Sequence, residues 1–475
     1  MFVGRERELE RLNGLWKKRV ASFVVIKGRR RIGKSRLIEK FSENTKIISF
    51  VGLPPDPSIK AQDQRDEFAR QLARHFHIPT PYSQDWGDLF WHLAHYTQKG
   101  KLIISLDEIS WMGMKDPTFL GKLKNAWDMY FKKNPQLILI VCGSVSSWIE
   151  KNILNSTGFV GRIDLVLTLE ELSLMECNQF WGKQTKNISS YEKFKLLAIT
   201  GGIPRYLETI IPNLPADEWI RQNCFLSDGF LFREFDQIFH DLFSRRNETY
   251  RKILECLAHS PHATLDEICT NIGMVKSGVI TNYLNDLIEA GFLRRNHTWD
   301  LKRAHTSKLS QYSISDNYIR FYLKYIAANK EKILRGSFLE KPLSSMPGWE
   351  ATMGLQFENL VIHNRQALYK LLHIHPTEVL NDGPYFQKAT TKKSGCQIDF
   401  LIQTKYNTLY VCEVKFSKSP IDKSVIKQVE QKIAQLDTKG VMSIRPILIQ
   451  VNGADEKVAA EDFFAEIINF GDLLR

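Results

Sequence analysis

Apolar runs that alternate with amphipathic stretches divide the first third of the chain into strands and helices. Short apolar runs bounded by polar turns are typical of strands buried on both faces of a parallel sheet. Five such runs predict strands near residues 23–26, 46–51, 101–106, 137–143 and 163–169. Helical periodicity occupies the intervals, as at 62–75. Strands that alternate with helices in this way predict a three-layer α/β/α sandwich over residues 1–169.

The middle of the chain has the helical period almost throughout. Residues 170–243 predict a helical lid. Over residues 244–300, three short helices are predicted at 248–259, 264–272 and 277–290, followed by a basic strand that begins at Gly291. This order is the outline of a winged helix, in which the third helix enters a DNA major groove. The side chains placed to meet DNA would be those of Lys276, Ser277, Thr281 and Asn282. A purely structural or regulatory winged helix remains the alternative.

A helical connector at 301–348 ends in a linker rich in Pro, Ser and Gly at 341–348. Residues 349–475 then form a last predicted domain. It begins with a helix at 354–361 that places Glu358 among apolar residues, and it continues with two strands, at 397–402 and 409–415. The chain is therefore predicted to be a multidomain α/β protein.

Length, charge and cysteine usage narrow the class of protein. A chain of 475 residues is too long for one core and predicts about three domains. Its formal net charge of +12 favours an acidic partner, most commonly nucleic acid. Seven scattered cysteines without a C-x-x-C pair predict reduced thiols. The early charges exclude a signal peptide and no apolar run could cross a bilayer, so a soluble, cytoplasmic protein without a membrane partner is expected.

One segment between the first strand and the following helix fits the pattern G-x-x-x-x-G-K-[ST]. In such a loop, backbone N–H groups surround phosphate oxygens, the lysine reaches the outer phosphates and the hydroxyl ligates Mg²⁺. The pattern predicts an ATP-binding site with Lys34 and Ser35 in these two roles. The residues predicted to form the loop and the start of its helix are Gly28, Arg29, Arg30, Arg31, Ile32, Gly33, Lys34, Ser35 and Arg36.

Carboxylates and hydroxyls follow the other predicted strands. Asp107 and Glu108 end the third strand, and ligands of α/β sheets bind at that edge. Asp107 is predicted to hold Mg²⁺ and Glu108 to polarise the attacking water. Ser144 follows the fourth strand and is placed to contact the γ-phosphate or that water.

These motifs resemble those of archaeal-type AAA+ ATPases related to the signalling STAND ATPases. The resemblance extends to the opening Phe2-Val3-Gly4-Arg5-Glu6, to Gly161-Arg162-Ile163 and to Gly201-Gly202-Ile203-Pro204. It implies that Gly4 and Arg5 lie near the adenine and that Gly202 and Pro204 of the lid face the nucleotide. For Arg162 it leaves two alternatives open, an arginine finger and a structural role, because the basic segment that often precedes this motif is absent.

A second set of charged residues lies in the last predicted domain. Residues i and i+2 of a strand share a face, so Glu413 and Lys415 point the same way, and a hairpin would bring Asp399 beside them. Two carboxylates suit Mg²⁺, and a lysine can steady a phosphate or activate water. This D…E-x-K order after the helical Glu358 resembles the PD-(D/E)xK nuclease superfamily. The resemblance implies a restriction-endonuclease-like fold and adds Gln428 as a helical companion. An exposed Glu413–Lys415 ion pair is the alternative.

The expected function is an ATP-dependent switch or motor that acts on nucleic acid and carries a Mg²⁺-dependent nuclease. DNA is the favoured partner, while a protein partner and a homo-oligomer are left open. The alternative is a regulatory ATPase whose last domain binds protein or DNA without cleaving it.

Overall fold

The structure, a computed structural model, describes residues 2–144, 146–243, 247–338, 342–389, 394–436, 438 and 443–475. The predicted start of the winged helix at residue 244 and the first predicted linker residue, Lys341, lie outside the described residues. The chain forms two compact units. The first comprises Met1–Glu170, Gln237–Asn247 and Asn282–Gly291, and the second comprises Glu171–Asp236, Glu248–Thr281 and Phe292–Arg475.

The first unit is built on a five-stranded parallel sheet with strand order β2-β3-β4-β1-β5. Its strands are β1 (Ser22–Gly28), β2 (Lys46–Val51), β3 (Leu102–Asp107), β4 (Leu137–Gly143) and β5 (Leu165–Leu169). The apolar runs of β1 and β4 are buried along their whole length, as expected of central strands in a parallel sheet. Because all five strands run in the same direction, their carboxyl ends lie at one edge.

Helices occupy the connections of this sheet. They are α1 (Glu6–Leu15), α2 (Lys34–Ser42), α3 (Ala61–Phe76), α4 (Trp86–His95), α5 (Ile109–Gly113), α6 (Phe119–Met129) and α7 (Ser146–Ile149). Aliphatic and aromatic side chains fill the core that these elements share, with Phe50 stacked on Phe68 and Trp86 packed edge-on against Phe119. The predicted α/β fold with a parallel central sheet is therefore confirmed.

From residue 174 to residue 289 the named elements are helical, as predicted. They are α8 (Leu174–Cys177), α9 (Ser190–Thr200), α10 (Pro204–Leu207), α11 (Ala216–Cys224), α12 (Phe230–Phe243), α13 (Asn247–His259), α14 (Leu265–Ile272) and α15 (Gly278–Glu289). The Thr264 hydroxyl accepts the Glu267 N–H while the Glu267 carboxylate accepts the Thr264 N–H, which caps α14. No helix in the described part of the chain is long and apolar enough to cross a membrane.

The second unit contains an antiparallel hairpin and a five-stranded mixed sheet of order β12-β11-β10-β9-β8. Its strands are β6 (Leu293–Trp299), β7 (Thr306–Ile314), β8 (Val379–Gln387), β9 (Cys396–Thr404), β10 (Thr408–Lys415), β11 (Ser443–Gln450) and β12 (Glu466–Asn469). Its remaining helices are α16 (Asn317–Phe321), α17 (Lys330–Leu334), α18 (Trp349–His363), α19 (Arg365–Leu371), α20 (Ser424–Gln435), α21 (Glu456–Ala460) and α22 (Phe470–Leu473). The hairpin of β9 and β10 was predicted, whereas β8, β11 and β12 were not.

The β6–β7 hairpin packs on the C-terminal sheet. The Trp299 indole N–H donates to Gln403 Oε1 at 2.8 Å, and the Thr298 hydroxyl donates to the Phe386 carbonyl at 2.7 Å. Trp299 also lies in the same buried cluster as Leu401 and Leu448 of the sheet. The predicted winged helix and the predicted last domain therefore share a core, while the domain boundaries drawn between them stay predictions.

Buried arginines fix α18 against β7. The Arg320 guanidinium donates to the Ile314 carbonyl at 2.5 Å and to the Leu355 carbonyl at 2.9 Å. The Asn359 amide donates to the Ile314 carbonyl at 3.0 Å and accepts from Arg294 at 3.0 Å. Since a buried guanidinium left without partners would be costly, these bonds hold α18, and with it Glu358, in one register.

Candidate functional site

The predicted strand–loop–helix forms at the carboxyl edge of the first sheet. Gly28 ends β1, and Lys34 and Ser35 are the first two residues of α2. The Gly28 backbone has φ 151°, and a Cβ there would lie 2.5 Å from the Leu169 carbonyl oxygen. No larger residue fits this close approach, so the loop can enter the space between β1 and β5 only with glycine at this position.

The Lys34 ammonium lies inside this loop. It donates to the Gly28 carbonyl at 3.0 Å, to the Arg29 carbonyl at 3.1 Å and to the Ser144 hydroxyl at 3.0 Å. Burial lowers the pKa of Lys34, while the Glu108 carboxylate acts in the opposite direction. The result is a positive charge held in a low-dielectric loop, where it attracts an anion strongly.

Ser35 and Asp107, which were both predicted to ligate magnesium, are in contact, while the magnesium role itself stays a prediction. The Ser35 hydroxyl donates to Asp107 Oδ2 at 2.8 Å. The Cys142 thiol lies 2.8 Å from Asp107 Oδ1, and the Glu108 N–H donates to that same oxygen at 2.9 Å. A hydroxyl and a carboxylate side by side match the oxygen ligands that Mg²⁺ takes in nucleotide sites. Cys142, predicted as a packing residue only, thus also orients Asp107.

Ser144 holds the carboxylate of Glu108. Its hydroxyl donates to Glu108 Oε1 at 2.8 Å, and its backbone N–H donates to Oε2 at 3.1 Å. Glu108 itself has φ 50° and ψ 50°, a left-handed conformation that non-glycine residues rarely adopt. Such strain concentrates at functional sites. The two serine donors and the turn therefore fix the carboxylate beside the Lys34 ammonium.

Arg5, the residue before α1, holds the phosphate loop through hydrogen bonds. Its guanidinium donates to the Ile32 carbonyl at 3.2 Å and to the Glu170 carbonyl at 2.6 Å. Gly4 and Arg5 both have positive φ values, 64° and 63°, at the turn into α1. The opening motif therefore contacts the phosphate loop, and its predicted place near the adenine stays a prediction.

The arginines of the loop differ in their surroundings. Arg29 is buried and donates to the Arg30 carbonyl at 3.0 Å, whereas Arg31 is more exposed and lies 3.2 Å from Gln237 Oε1. Arg36 forms an exposed ion pair with Glu39. Lys27, which the sequence did not single out, forms ion pairs with Glu150 at 2.5 Å and Glu289 at 3.3 Å immediately before the loop.

Arg162 lies at the other edge of the sheet. It precedes β5, which runs parallel to β1 with Leu165 opposite Val24, while the phosphate loop follows the carboxyl end of β1. The five residues of β5 separate the two edges by roughly 17 Å at about 3.3 Å per residue. The Arg162 guanidinium is instead bound to the Asp128 carboxylate, 2.8 Å from Oδ2, and this contact raises the pKa of Arg162.

Within its own chain, Arg162 is therefore not an arginine finger in this structure. A role towards the nucleotide of a neighbouring copy in a homo-oligomer, or a structural role, stays a prediction.

The Gly201–Pro204 segment belongs to the second unit. A Cβ on Gly202 would lie 2.3 Å from the Leu172 carbonyl oxygen. The Gly202 N–H donates to Glu171 Oε2 at 2.8 Å, and Pro204 occupies the first turn of α10. Close packing against residues 171–172 is thus sufficient to require glycine at position 202. The predicted role of Gly202 and Pro204 towards the nucleotide stays a prediction.

The hairpin of β9 and β10 brings Asp399 and Glu413 together. Cys412 lies opposite Phe400 in the antiparallel register, which makes Asp399 and Glu413 the next pair. Asp399 Oδ2 accepts the Val414 N–H at 2.9 Å. The Lys415 ammonium lies 2.9 Å from Glu413 Oε1. Because Glu413 is wholly buried, an exposed Glu413–Lys415 pair on a strand face is excluded.

Lys432 completes this group, and the sequence did not predict it. Its ammonium, which comes from α20, lies 2.5 Å from Glu413 Oε2 and 3.4 Å from Asp399 Oδ1. Burial alone would lower the pKa of Lys432, but Asp399 and Glu413 outweigh this effect and raise it. Gln428, the helical companion that the resemblance implied, lies one turn earlier on α20 and is exposed.

Glu358 lies close enough to interact electrostatically with this pair. Burial raises the pKa of Glu358 to about 8, and the charge of Asp399 contributes to the rise. Burial likewise raises the pKa of Asp399, with a further contribution from Glu413. Among the described residues, no group of three or more Asp, Glu, His or Cys side chains is arranged to hold a metal ion. Asp399 and Glu413 can nevertheless share one cation, because a single ammonium contacts both.

The fold and the first site define the class of protein. A parallel sheet with a lysine-containing phosphate loop, an adjacent serine and two carboxylates at its carboxyl edge is the architecture of a P-loop ATPase. The family described as an ATPase domain predominantly from Archaea matches residues 2–210, a range that runs from the opening motif through α10.

One of two relatives extends this match beyond the ATPase domain. An uncharacterized protein of Methanocaldococcus jannaschii is 31% identical over 338 residues, which cover 71% of this chain and 72% of the relative. An uncharacterized ATP-binding protein of the same organism is 51% identical over 47 residues, 10% of this chain and 80% of that protein. The chain therefore belongs to this archaeal-type family of P-loop ATPases.

The solved structure of a Walker-type ATPase from Pyrococcus abyssi has a similar fold. The two structures match with a TM-score of 0.51 at 16% sequence identity, and the match covers 68% of this chain and 96% of the Pyrococcus abyssi chain. At this identity the likeness concerns the fold alone.

We predict that Arg162→Ala leaves the affinity for ATP unchanged, because the guanidinium lies at the opposite edge of the sheet and binds Asp128. Titration with a fluorescent ATP analogue measures this affinity, with Lys34→Ala as the variant expected to lose it. A clear loss of affinity in Arg162→Ala would show that this side chain reaches the nucleotide of its own chain.

Proposed function

We propose that this ATPase is a nucleotide-dependent switch or motor that acts on nucleic acid. The observation that carries the proposal is the convergence of Lys34, Ser35, Asp107, Glu108 and Ser144 at one sheet edge. Each group has a separate task in phosphoryl transfer to water.

The chemistry follows from the contacts. The Lys34 ammonium exchanges its carbonyl partners for the outer phosphate oxygens and neutralises the charge that develops on them. Mg²⁺, when bound beside Ser35 and Asp107, supplies further positive charge to the phosphates. Glu108 orients and polarises the attacking water. Ser144 touches both Lys34 and Glu108, so it is placed to report whether the outer phosphate is present.

Nucleic acid is the proposed partner because the chain has a net positive charge and because polar side chains at the start of α15 are exposed. The chain has a formal net charge of +12. Lys276, Ser277 and Asn282 at the amino end of α15 are exposed. Lys276 forms an exposed ion pair with Asp266, while on the adjoining strand Arg294 bonds to Asn359 and the exposed Arg295 bonds to Ser310. The amino end of α15 is the proposed DNA-contacting element, because in a winged helix the third helix enters the major groove.

A Mg²⁺-dependent nuclease in the last domain is the second candidate function. It is supported by Asp399 and Glu413, whose carboxylates face one cation position, and by Lys415 beside them. Lys415 is placed to face a phosphate, since it is the more exposed of the two lysines. The rival is a regulatory ATPase whose last domain binds protein or DNA without cleaving it. Metal-dependent cleavage by the full chain distinguishes the two.

We expect Lys34→Ala to weaken ATP binding by about tenfold or more, because a charge-assisted contact to the phosphates is lost. Glu108→Gln should still bind ATP but slow its hydrolysis by about 100-fold or more, because the amide cannot polarise water. Equilibrium titration and a phosphate-release assay measure the two effects. Lys40→Ala, an exposed lysine on the same helix, is the control. Normal turnover in Glu108→Gln would overturn the assignment of the catalytic carboxylate.

For DNA contact, we expect Lys276→Ala to weaken duplex binding about equally for all sequences. It should also reduce the slope of log affinity against log salt by about one, since one phosphate contact is removed. Fluorescence anisotropy in EDTA at several salt concentrations measures both quantities. Lys370→Ala, an exposed lysine on α19, is the control. Equal slopes for wild type and Lys276→Ala would exclude this lysine from the interface.

For cleavage, we expect the full chain to cut DNA only with a divalent metal, and Asp399→Asn to abolish cutting while ATP binding persists. Glu430→Gln changes an exposed acid of α20 and should cut normally. Gel analysis of a plasmid substrate with Mg²⁺, Mn²⁺ or EDTA gives the result. Cutting that survives in Asp399→Asn, or no cutting by the wild type, would favour the non-cleaving module.

A further inference from the structure

Three of the four carboxylate oxygens of Asp399 and Glu413 accept hydrogen bonds from the protein itself, and the fourth, the buried Glu413 Oε1, has an ion pair with Lys415 but no hydrogen bond. Lys432 contacts Glu413 Oε2 and Asp399 Oδ1, and Lys415 lies beside Glu413 Oε1. The Val414 N–H takes the remaining oxygen, Asp399 Oδ2. The Lys432 ammonium contacts both residues, so it occupies the position between the two carboxylates.

That position is the one a divalent cation would need. A metal bound by Asp399 and Glu413 requires an oxygen from each, and Lys432 engages one oxygen of each. An ammonium between the two carboxylates opposes a metal ion at the same position, because both are cations and the ammonium occupies the space from which the metal would contact one oxygen of each residue. Burial of Glu413, whose side chain is 0% exposed, strengthens the competition, since little water screens these charges.

The Lys432 side chain is placed so that it can move away from the two carboxylates. This side chain is 26% exposed, whereas that of Glu413 is fully enclosed. The four-carbon stem of lysine reaches water by changes of rotamer alone, without movement of the helix backbone. The carboxylates, by contrast, are anchored on neighbouring strands of a sheet. Withdrawal of Lys432 would therefore open the position and leave its ligands in place.

We propose that Lys432 is a built-in counter-ion that competes with a divalent cation for Asp399 and Glu413. The metal binds at this site only when the ammonium withdraws. The inference rests on the metal-binding part of the proposed nuclease function and is independent of whether DNA is cut. It goes beyond that function by naming the residue that sets the metal affinity of the site.

The test is direct binding of Mn²⁺ to the full chain without nucleotide, measured by electron paramagnetic resonance of the free ion. Lys432→Met removes the competing charge and keeps the apolar stem, so we expect the affinity of the site for Mn²⁺ to rise by about tenfold or more. Lys427→Met, a change of an exposed lysine on the same helix, should leave it unchanged. The double variant Asp399→Asn, Lys432→Met should lose the gain, which places the bound ion at this site.

Thermal unfolding supplies a second readout. Without Lys432 the two carboxylates repel each other, so Lys432→Met should melt at a lower temperature in EDTA and recover more than the wild type when Mn²⁺ is added. Lys432→Gln should behave in the same way and serves as the second variant if Lys432→Met does not fold.

Unchanged or weaker Mn²⁺ binding in both variants, or no binding in any variant, would overturn the inference. The outcome is separable from that of the proposed nuclease. A gain in Mn²⁺ affinity without DNA cleavage would leave the inference standing and reject the nuclease. Cleavage that depends on Asp399, together with an Mn²⁺ affinity that does not change in the Lys432 variants, would support the nuclease and reject the inference.

Discussion

The ATPase site depends on the hydrogen bonds that the buried Lys34 ammonium donates. This ammonium is buried in a loop that can form only because Gly28 passes within van der Waals distance of β5. A buried ammonium needs partners, and here they are two loop carbonyls and the Ser144 hydroxyl at the end of β4. Ser144 in turn holds Glu108 at the end of β3. One charge thus links three strand ends, and the parallel direction of the strands brings those ends to one edge.

Much of this site follows from the order of residues along the chain. The apolar runs gave correct positions for β1, β3 and β4 because buried parallel strands contain few polar residues. The residues that follow such strands must then meet at the carboxyl edge, which is how Asp107, Glu108 and Ser144 could be grouped. The same rule also predicts that Arg162, which precedes a strand, lies at the amino edge. That placement was available from the sequence, and it argues only against an arginine finger that acts on the nucleotide of its own chain.

Other features could not be predicted from patterns. Lys432 lies on a helix of ordinary amphipathic sequence, and its contact with Asp399 and Glu413 depends on how α20 packs on the sheet. Local periodicity carries no information about that packing. The same is true of Trp299, which was expected in a separate winged helix but bonds to Gln403 of the C-terminal sheet. In both cases the deciding contact joins residues that are distant in sequence.

The two candidate sites differ in how the protein treats a central cation. In the ATPase unit, Ser35 and Asp107 lie beside the loop that holds Lys34, and a hydroxyl, a thiol and a backbone N–H contact the Asp107 carboxylate. In the second unit, a lysine occupies the position between the carboxylates. An anomalous-scattering experiment on crystals of the full chain with Mn²⁺ and a non-hydrolysable ATP analogue would separate them. We expect a strong manganese peak beside Ser35 and Asp107, next to the outer phosphates, and a weaker one or none between Asp399 and Glu413. A peak at the second position alone would contradict the assignment of the nucleotide site.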